Sequence, residues 1–147
     1  MEVTWVNNRE TAYALLRVTV GVMFLFFGVG KFLGGVGDFA GGMTQRFAGK
    51  LPAALVTPFA YALPFIEVTL GALILLGLFN VLALSLSGLL LVALTFGTVM
   101  LGDAPTVAHN VQYALVNFAL LFFADYNGYS LDRLLRKKGL RVEGSSA

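Results

Sequence analysis

Three charged side chains lie inside apolar stretches of the sequence, where a charge is costly. Arg17 and Lys31 bracket the run RVTVGVMFLFFGVGK, and Glu67 lies inside the later run YALPFIEVTLGALILLG. A charged group near the centre of a membrane costs about 2.5–3.5 kcal/mol on insertion scales, so it normally faces a partner, a cavity or water. Glu67 could therefore pair with either cation and hold two helices in register. Alternatively, it is a titratable carboxyl suited to proton transfer or to binding a polar headgroup.

A second polar group occurs in the segment HNVQYALVN. His109, Tyr113 and Asn117 follow one another at intervals of four residues, which predicts a polar helix face turned toward the protein interior. A histidine and a tyrosine near a carboxylate can donate hydrogen bonds to the two oxygens of a quinone and exchange protons with it. A lone histidine within a membrane is also a common hydrogen-bonded packing residue, so both interpretations stay open.

These patterns define the candidate site. Glu67 is the candidate catalytic residue, and the candidate ligand-binding residues are Arg17, Lys31, Glu67, His109 and Tyr113. The chain has one histidine and no cysteine, which excludes disulfides and cysteine-ligated iron–sulfur clusters. A haem with His and Met ligands, or one shared between two chains, stays open but less favoured. No metal site and no covalently bound cofactor are predicted, and a quinone is the one dissociable ligand that these residues favour.

The elements that position these residues are predicted to be membrane helices. Hydrophobic residues make up 58% of the 147-residue chain and charged residues 12%, and the mean hydropathy of +0.82 is outside the range of soluble globular domains. Four continuous apolar runs have about the ~20 residues that cross a membrane, at 12–33, 58–79, 80–101 and 106–124. We therefore expect an all-α integral membrane four-helix bundle, a single domain over 1–138, and a disordered basic, Gly/Ser-containing tail at 139–147.

Small residues and two short helices complete the predicted architecture. Gly21, Gly28 and Gly71 lie one helical turn or two from the buried charges and should allow close helix packing. Asp38 can cap a short interfacial helix in the first outer loop, and Ser130 can cap a short C-terminal interfacial helix with a basic face. The first of these helices would act as a lid.

Charge distribution predicts the orientation of the chain. Five basic residues lie between 133 and 141, and an even number of spans places both termini on one side of the membrane. The positive-inside rule then predicts a multi-pass protein of the plasma (inner) membrane with both termini cytoplasmic. The basic segment is expected to contact anionic lipid, or alternatively a cytoplasmic partner. No nucleic-acid partner is expected.

Three segments together resemble a known family. RVTVGVMFLFFGVGKF, PFIEVTLGALILLGLF and ADYNGYSLDRLL are similar to the DoxX/DoxD-like small four-helix membrane proteins, over about residues 14–135. The terminal motif departs from the family in having Asn127. The resemblance implies a redox-linked, quinone-facing membrane subunit, with Arg17, Lys31 and Glu67 as its polar core and Asp132 ending its terminal motif.

Two functions of different classes follow. In the first, the chain is a quinone-facing or proton-handling membrane subunit of an oxidoreductase whose redox centres lie on another chain. In the second, it is a non-catalytic membrane anchor or assembly factor, and its buried charges are structural. A small transporter is less favoured, because the sequence has no inverted repeat. Expected partners are membrane lipid, a redox partner protein or complex subunits, and a second copy of the chain. The residues leave open whether the chain is itself an enzyme.

Overall fold

The computed structural model describes residues 7–139, and over that range it is helical without any strand. The predicted all-α class is therefore confirmed, while all but the first residue of the predicted tail at 139–147 lies outside the described residues. Six α-helices follow one another along the chain, with a 3-10 turn at Ala124–Tyr126 between the last two. They are α1 (Asn8–Leu33), α2 (Val36–Arg46), α3 (Ala53–Leu76), α4 (Asn80–Leu101), α5 (Ala104–Phe122) and α6 (Leu131–Lys137).

Three of these helices are long and apolar enough to cross a membrane, namely α1, α3 and α4. Their outer surfaces carry large apolar side chains that other parts of the chain do not cover. Leu15, Phe26, Leu89 and Val92, for example, are 62–66% exposed. Such faces are stable against lipid and unfavourable in water. The chain is thus a multi-pass membrane protein. The fourth predicted span corresponds to α5, which has 19 residues and several polar side chains, and it stays a prediction.

The sequence-based boundaries are closest for α4 and least accurate for α3. The prediction that this helix starts at 58 is wrong, because it begins at Ala53, after Pro52, and Pro58 lies inside it. A proline removes one backbone donor from a helix, and membrane helices tolerate this because the freed backbone groups find other partners. The predicted end at 79 is also wrong, because Gly77 adopts a left-handed conformation (φ 64°) that ends the helix at Leu76.

The closest helix packing joins α1 to α3. A Cβ atom added to Gly21 would lie 2.6 Å from the backbone nitrogen of Leu75, and one on Gly28 would lie 2.8 Å from the carbonyl oxygen of Pro64. Gly71, on α3, meets the backbone of Leu25 in the same way. The two helix backbones therefore touch along this seam, as small residues permit. α5 packs on α4, and the two pairs meet through contacts of α3 with α4 and of α1 with α5.

The short helix α2 covers the pair formed by α1 and α3. It begins at Val36, after Gly35, whose φ of 91° is left-handed. Asp38 therefore lies inside the first turn, and the prediction that it caps this helix is wrong. Ala40 and Phe47 are buried, and Thr44 of α2 contacts α3, with its hydroxyl oxygen 3.0 Å from that of Thr57. We call α2 the lid. Its location in the membrane interface stays a prediction.

Candidate functional site

The buried carboxyl of α3 has a single partner among the described residues. Glu67 is 3% exposed, and its Oε2 lies 2.7 Å from the Nζ of Lys31. Lys31 also donates to the carbonyl of Phe27 at 3.3 Å, and its ammonium lies 5.2 Å from the ring centroid of Phe39 on the lid. Burial strengthens the attraction between two opposite charges but costs desolvation free energy, so a buried charge left without its partner is strongly destabilising. The pair thus joins α1, α3 and the lid.

Arg17 does not contribute to that ion pair. It is 3% exposed and donates from Nη1 to the carbonyls of Ile74 at 2.6 Å and Leu75 at 2.8 Å, and from Nη2 to the carbonyl of Tyr129 at 2.7 Å. The last carbonyls of a helix lack intrahelical donors and form the negative end of its dipole, so a guanidinium there stabilises the end of α3. The Arg17–Glu67 pair that the sequence left open is therefore wrong.

Asp132 stabilises the start of α4 in the complementary way. Its two carboxylate oxygens accept from the backbone N–H groups of Phe79 and Asn80, both at 3.0 Å. Its own N–H donates to the carbonyl of Gly77 at 3.3 Å. A negative group at the first free N–H groups of a helix is a capping interaction. We call residues 129–132 the clamp, because they hold α1, the end of α3 and the start of α4 together.

The glycine at the turn between α3 and α4 makes room for the clamp. A Cβ atom on Gly77 would lie 2.7 Å from Nη1 of Arg17 and 2.6 Å from Cβ of Ser130. Ser130 in turn caps α6, accepting from the N–H of Arg133. Tyr13 and Asn80 extend this polar cluster, because the amide of Asn80 donates to the Tyr13 hydroxyl at 2.8 Å.

The polar face of α5 follows the prediction at Asn117 but not at His109. The buried polar side chains of this helix are Asn110 and Asn117. Asn117 accepts from the hydroxyl of Ser87 at 2.8 Å and donates to the carbonyl of Leu84 at 3.0 Å. His109 is exposed on the described chain, so its predicted inward orientation is wrong. Adjacent residues lie about 100° apart around a helix, and the inward face runs through Asn110 instead.

Tyr113 is half-buried, with its ring 6.4 Å from that of Phe27 in an edge-on arrangement. The five predicted ligand residues thus have different surroundings, and their role in ligand binding stays a prediction. Lys31 and Glu67 are paired, Arg17 is held by carbonyls, and His109 faces outward. Within residues 7–139, no three His, Asp or Glu side chains are placed to hold a metal ion.

The capping roles of Asp103 and Asp132 were not predicted from the sequence. Asp103 accepts from the N–H of Thr106 at 3.2 Å and from its hydroxyl at 2.8 Å, and the guanidinium of Arg46 on the lid lies 3.5 Å away. The hydroxyl of Thr106, then its N–H, lower the pKa of Asp103 below its ordinary value. The run DAPT, with an acid three residues before a threonine and Pro105 between them, is a recognisable helix-start signal.

Comparison with known proteins identifies a family. The family model described as methylamine utilisation protein MauE matches residues 9–104, from the second residue of α1 to the first residue of α5. No curated protein and no solved structure matches the chain. The DoxX/DoxD-like identification is therefore wrong. Of the three segments that suggested it, the cationic, glycine-containing face of α1 and the Glu67–Gly71 pair of α3 have packing roles that are not specific to one family. The oxidoreductase-subunit and quinone assignments that it implied receive no support from the match.

Proposed function

This chain belongs to the MauE family, and from that premise we propose that it is a non-catalytic membrane accessory protein in methylamine utilisation. Its role would be to anchor partner proteins at the membrane or to assist their assembly. The chemistry of oxidising methylamine would then reside on those partners.

The observation that carries this proposal is that structural partners engage the buried charges. Arg17 donates to three carbonyls, and Asp132 accepts from two backbone N–H groups. Glu67 is bound by Lys31. A catalytic acid or base must face the atom from which it takes or to which it gives a proton. Groups that hold helix ends or join two helices favour a scaffold over an active site.

The course of α5 supports an orientation with both termini on one side. It starts beside the lid, where Asp103 meets Arg46, and at its other end the carbonyl of Leu120 accepts from the hydroxyl of Tyr13 at 2.8 Å. Nineteen helical residues extend about 28 Å, close to the thickness of the hydrocarbon. With α5 as a fourth span, the basic helix α6 lies in the cytoplasm by the positive-inside rule, and the lid faces the opposite side.

Gene deletion in a host that grows on methylamine tests the proposal. Loss of the chain should stop growth on methylamine, leave growth on other nutrients unchanged, and lower the amount of assembled methylamine-oxidising enzyme in immunoblots. The variant Glu67→Gln, which keeps a hydrogen-bond acceptor for Lys31 but cannot carry a charge, should restore growth. The readout is growth rate together with enzyme level.

The opposite result would assign a direct role to the carboxyl. If Glu67→Gln inserts at normal levels and the oxidising enzyme is present in normal amount, yet methylamine oxidation is lost, then the side chain handles protons and the scaffold proposal fails. The variant Thr57→Val, which removes a hydroxyl beside the lid without changing charge, is the matched control for altered packing.

A further inference from the structure

A cleft of about 640 Å³ opens beside the clamp. Its walls come from the start of α1, the end of α3, the clamp and one face of α6. The side chains that decide its chemistry are Glu10, Arg17, Leu76, Arg133, Leu134 and Lys137.

The cleft carries an excess of positive charge. Three cations line it against one acid, and that acid, Glu10, is engaged by Arg133 at 3.0 Å. Lys137 has no ion pair within the described part of the chain. Arg17 is almost fully buried, and its Nε has no hydrogen-bond partner among the described residues. The electrostatic character of the cleft therefore favours an anion.

Apolar surface adjoins these cations. Leu76 is 48% exposed and Leu134 is 54% exposed, and both line the cleft. They lie where the membrane-length helix α3 ends, so they are at the boundary between hydrocarbon and headgroups. A cationic rim next to exposed leucines at that depth is complementary to a lipid with a charged headgroup and an acyl chain. A small soluble anion has no apolar part that could pack against the two leucines.

We propose that this cleft binds the headgroup of an anionic phospholipid. The phosphate lies between Lys137 and Arg133, and the first part of an acyl chain lies along Leu76 and Leu134. Binding there would hold α6 against the membrane surface and keep the clamp closed over Arg17. The proposal does not depend on the function proposed above.

Native mass spectrometry of the full chain, purified in detergent and stripped of lipid, tests the proposal. The probes are phosphatidylglycerol, phosphatidylcholine with the same acyl chains, and inorganic phosphate. Phosphatidylglycerol should bind at least about ten-fold more tightly than phosphatidylcholine. Lys137→Gln should weaken its binding about five-fold, since one basic residue near an anionic membrane surface contributes that much.

Lys138→Gln is the matched control, because it removes the same charge from the next residue, which does not line the cleft. It should change the affinity less than about two-fold. Glu10→Gln should strengthen binding, because it removes the one acid from the cleft. Equal effects of the two lysine variants would overturn the proposal in favour of general surface attraction. Displacement of the lipid by inorganic phosphate at equal concentration would overturn it in favour of a free anion.

Discussion

Replacing Gly21 by alanine should force α1 and α3 apart, whereas the same replacement at Gly30, in the same helix, should not. The added Cβ at Gly21 would lie 2.6 Å from the nitrogen and 2.7 Å from the Cα of Leu75. Neither of these atoms can rotate away, because both belong to a helix backbone. At Gly30 no atom beyond the adjacent residues and the local backbone of α1 lies within 4 Å of the added Cβ.

The magnitude follows from the contact distances. Ordinary contact between such atoms begins near 3.4 Å, so the helices must separate by most of an ångström at Gly21. Overpacking of this kind costs about 1–3 kcal/mol, and the gain in helix propensity from alanine offsets at most about 1 kcal/mol of it. At Gly30 only the gain applies. Gly21→Ala should therefore lower the midpoint of thermal unfolding by several degrees, and Gly30→Ala should leave it unchanged or raise it.

Circular dichroism of both variants in the same detergent provides the measurement, and size-exclusion chromatography checks that both remain monodisperse. If Gly21→Ala is as stable as Gly30→Ala, then the close approach of α1 and α3 is not a stabilising contact, and the reasoning about this seam fails. Equal destabilisation by both would point to a general intolerance of α1 to substitution and would also refute it.

Three further predictions concern the ends of the helices. Asp132→Ala should lower the free energy of unfolding by about 0.5–2 kcal/mol through loss of the α4 cap, while Asp125→Ala, at an exposed position, should be neutral in the same thermal unfolding assay. The pKa of Asp103 is lower in the folded chain than in the unfolded chain, where it has its ordinary value. The ionised carboxylate therefore stabilises the fold at any pH above the ordinary pKa, and this stabilisation is lost as the pH falls through the pKa of the folded chain. Melting temperatures measured from pH 6 downward should therefore fall more steeply in the parent than in Asp103→Asn, and parallel curves would refute the capping role. Arg17→Lys should increase amide hydrogen exchange in residues 129–137, because an ammonium cannot reach three carbonyls as the guanidinium fork does, whereas Arg9→Lys should not. Unchanged exchange in Arg17→Lys would contradict the role assigned to the clamp.

Hydropathy predicted the existence of the long helices because burial in lipid requires continuous apolar runs, and that requirement is local in the sequence. The partners of the buried charges could not be predicted in the same way. Whether Glu67 meets Arg17 or Lys31 depends on how far α1 slides along α3. That displacement is set by which glycine meets which backbone segment, as at Gly28 and Pro64. The orientation of His109 failed for a smaller reason, since one residue of offset turns a side chain from the interior to the surface.

The clamp shows that the family-matched segment does not satisfy its own polar groups. The match ends at residue 104, but Arg17 and the first N–H groups of α4, which lie inside it, find partners at Tyr129 and Asp132. A chain cut after the match would leave those N–H groups and one side of the guanidinium without these partners, and a hydrogen bond to a charged group contributes about 1.5–3 kcal/mol. The part of the protein that carries the family match is therefore stabilised by the clamp, which lies outside the matched residues.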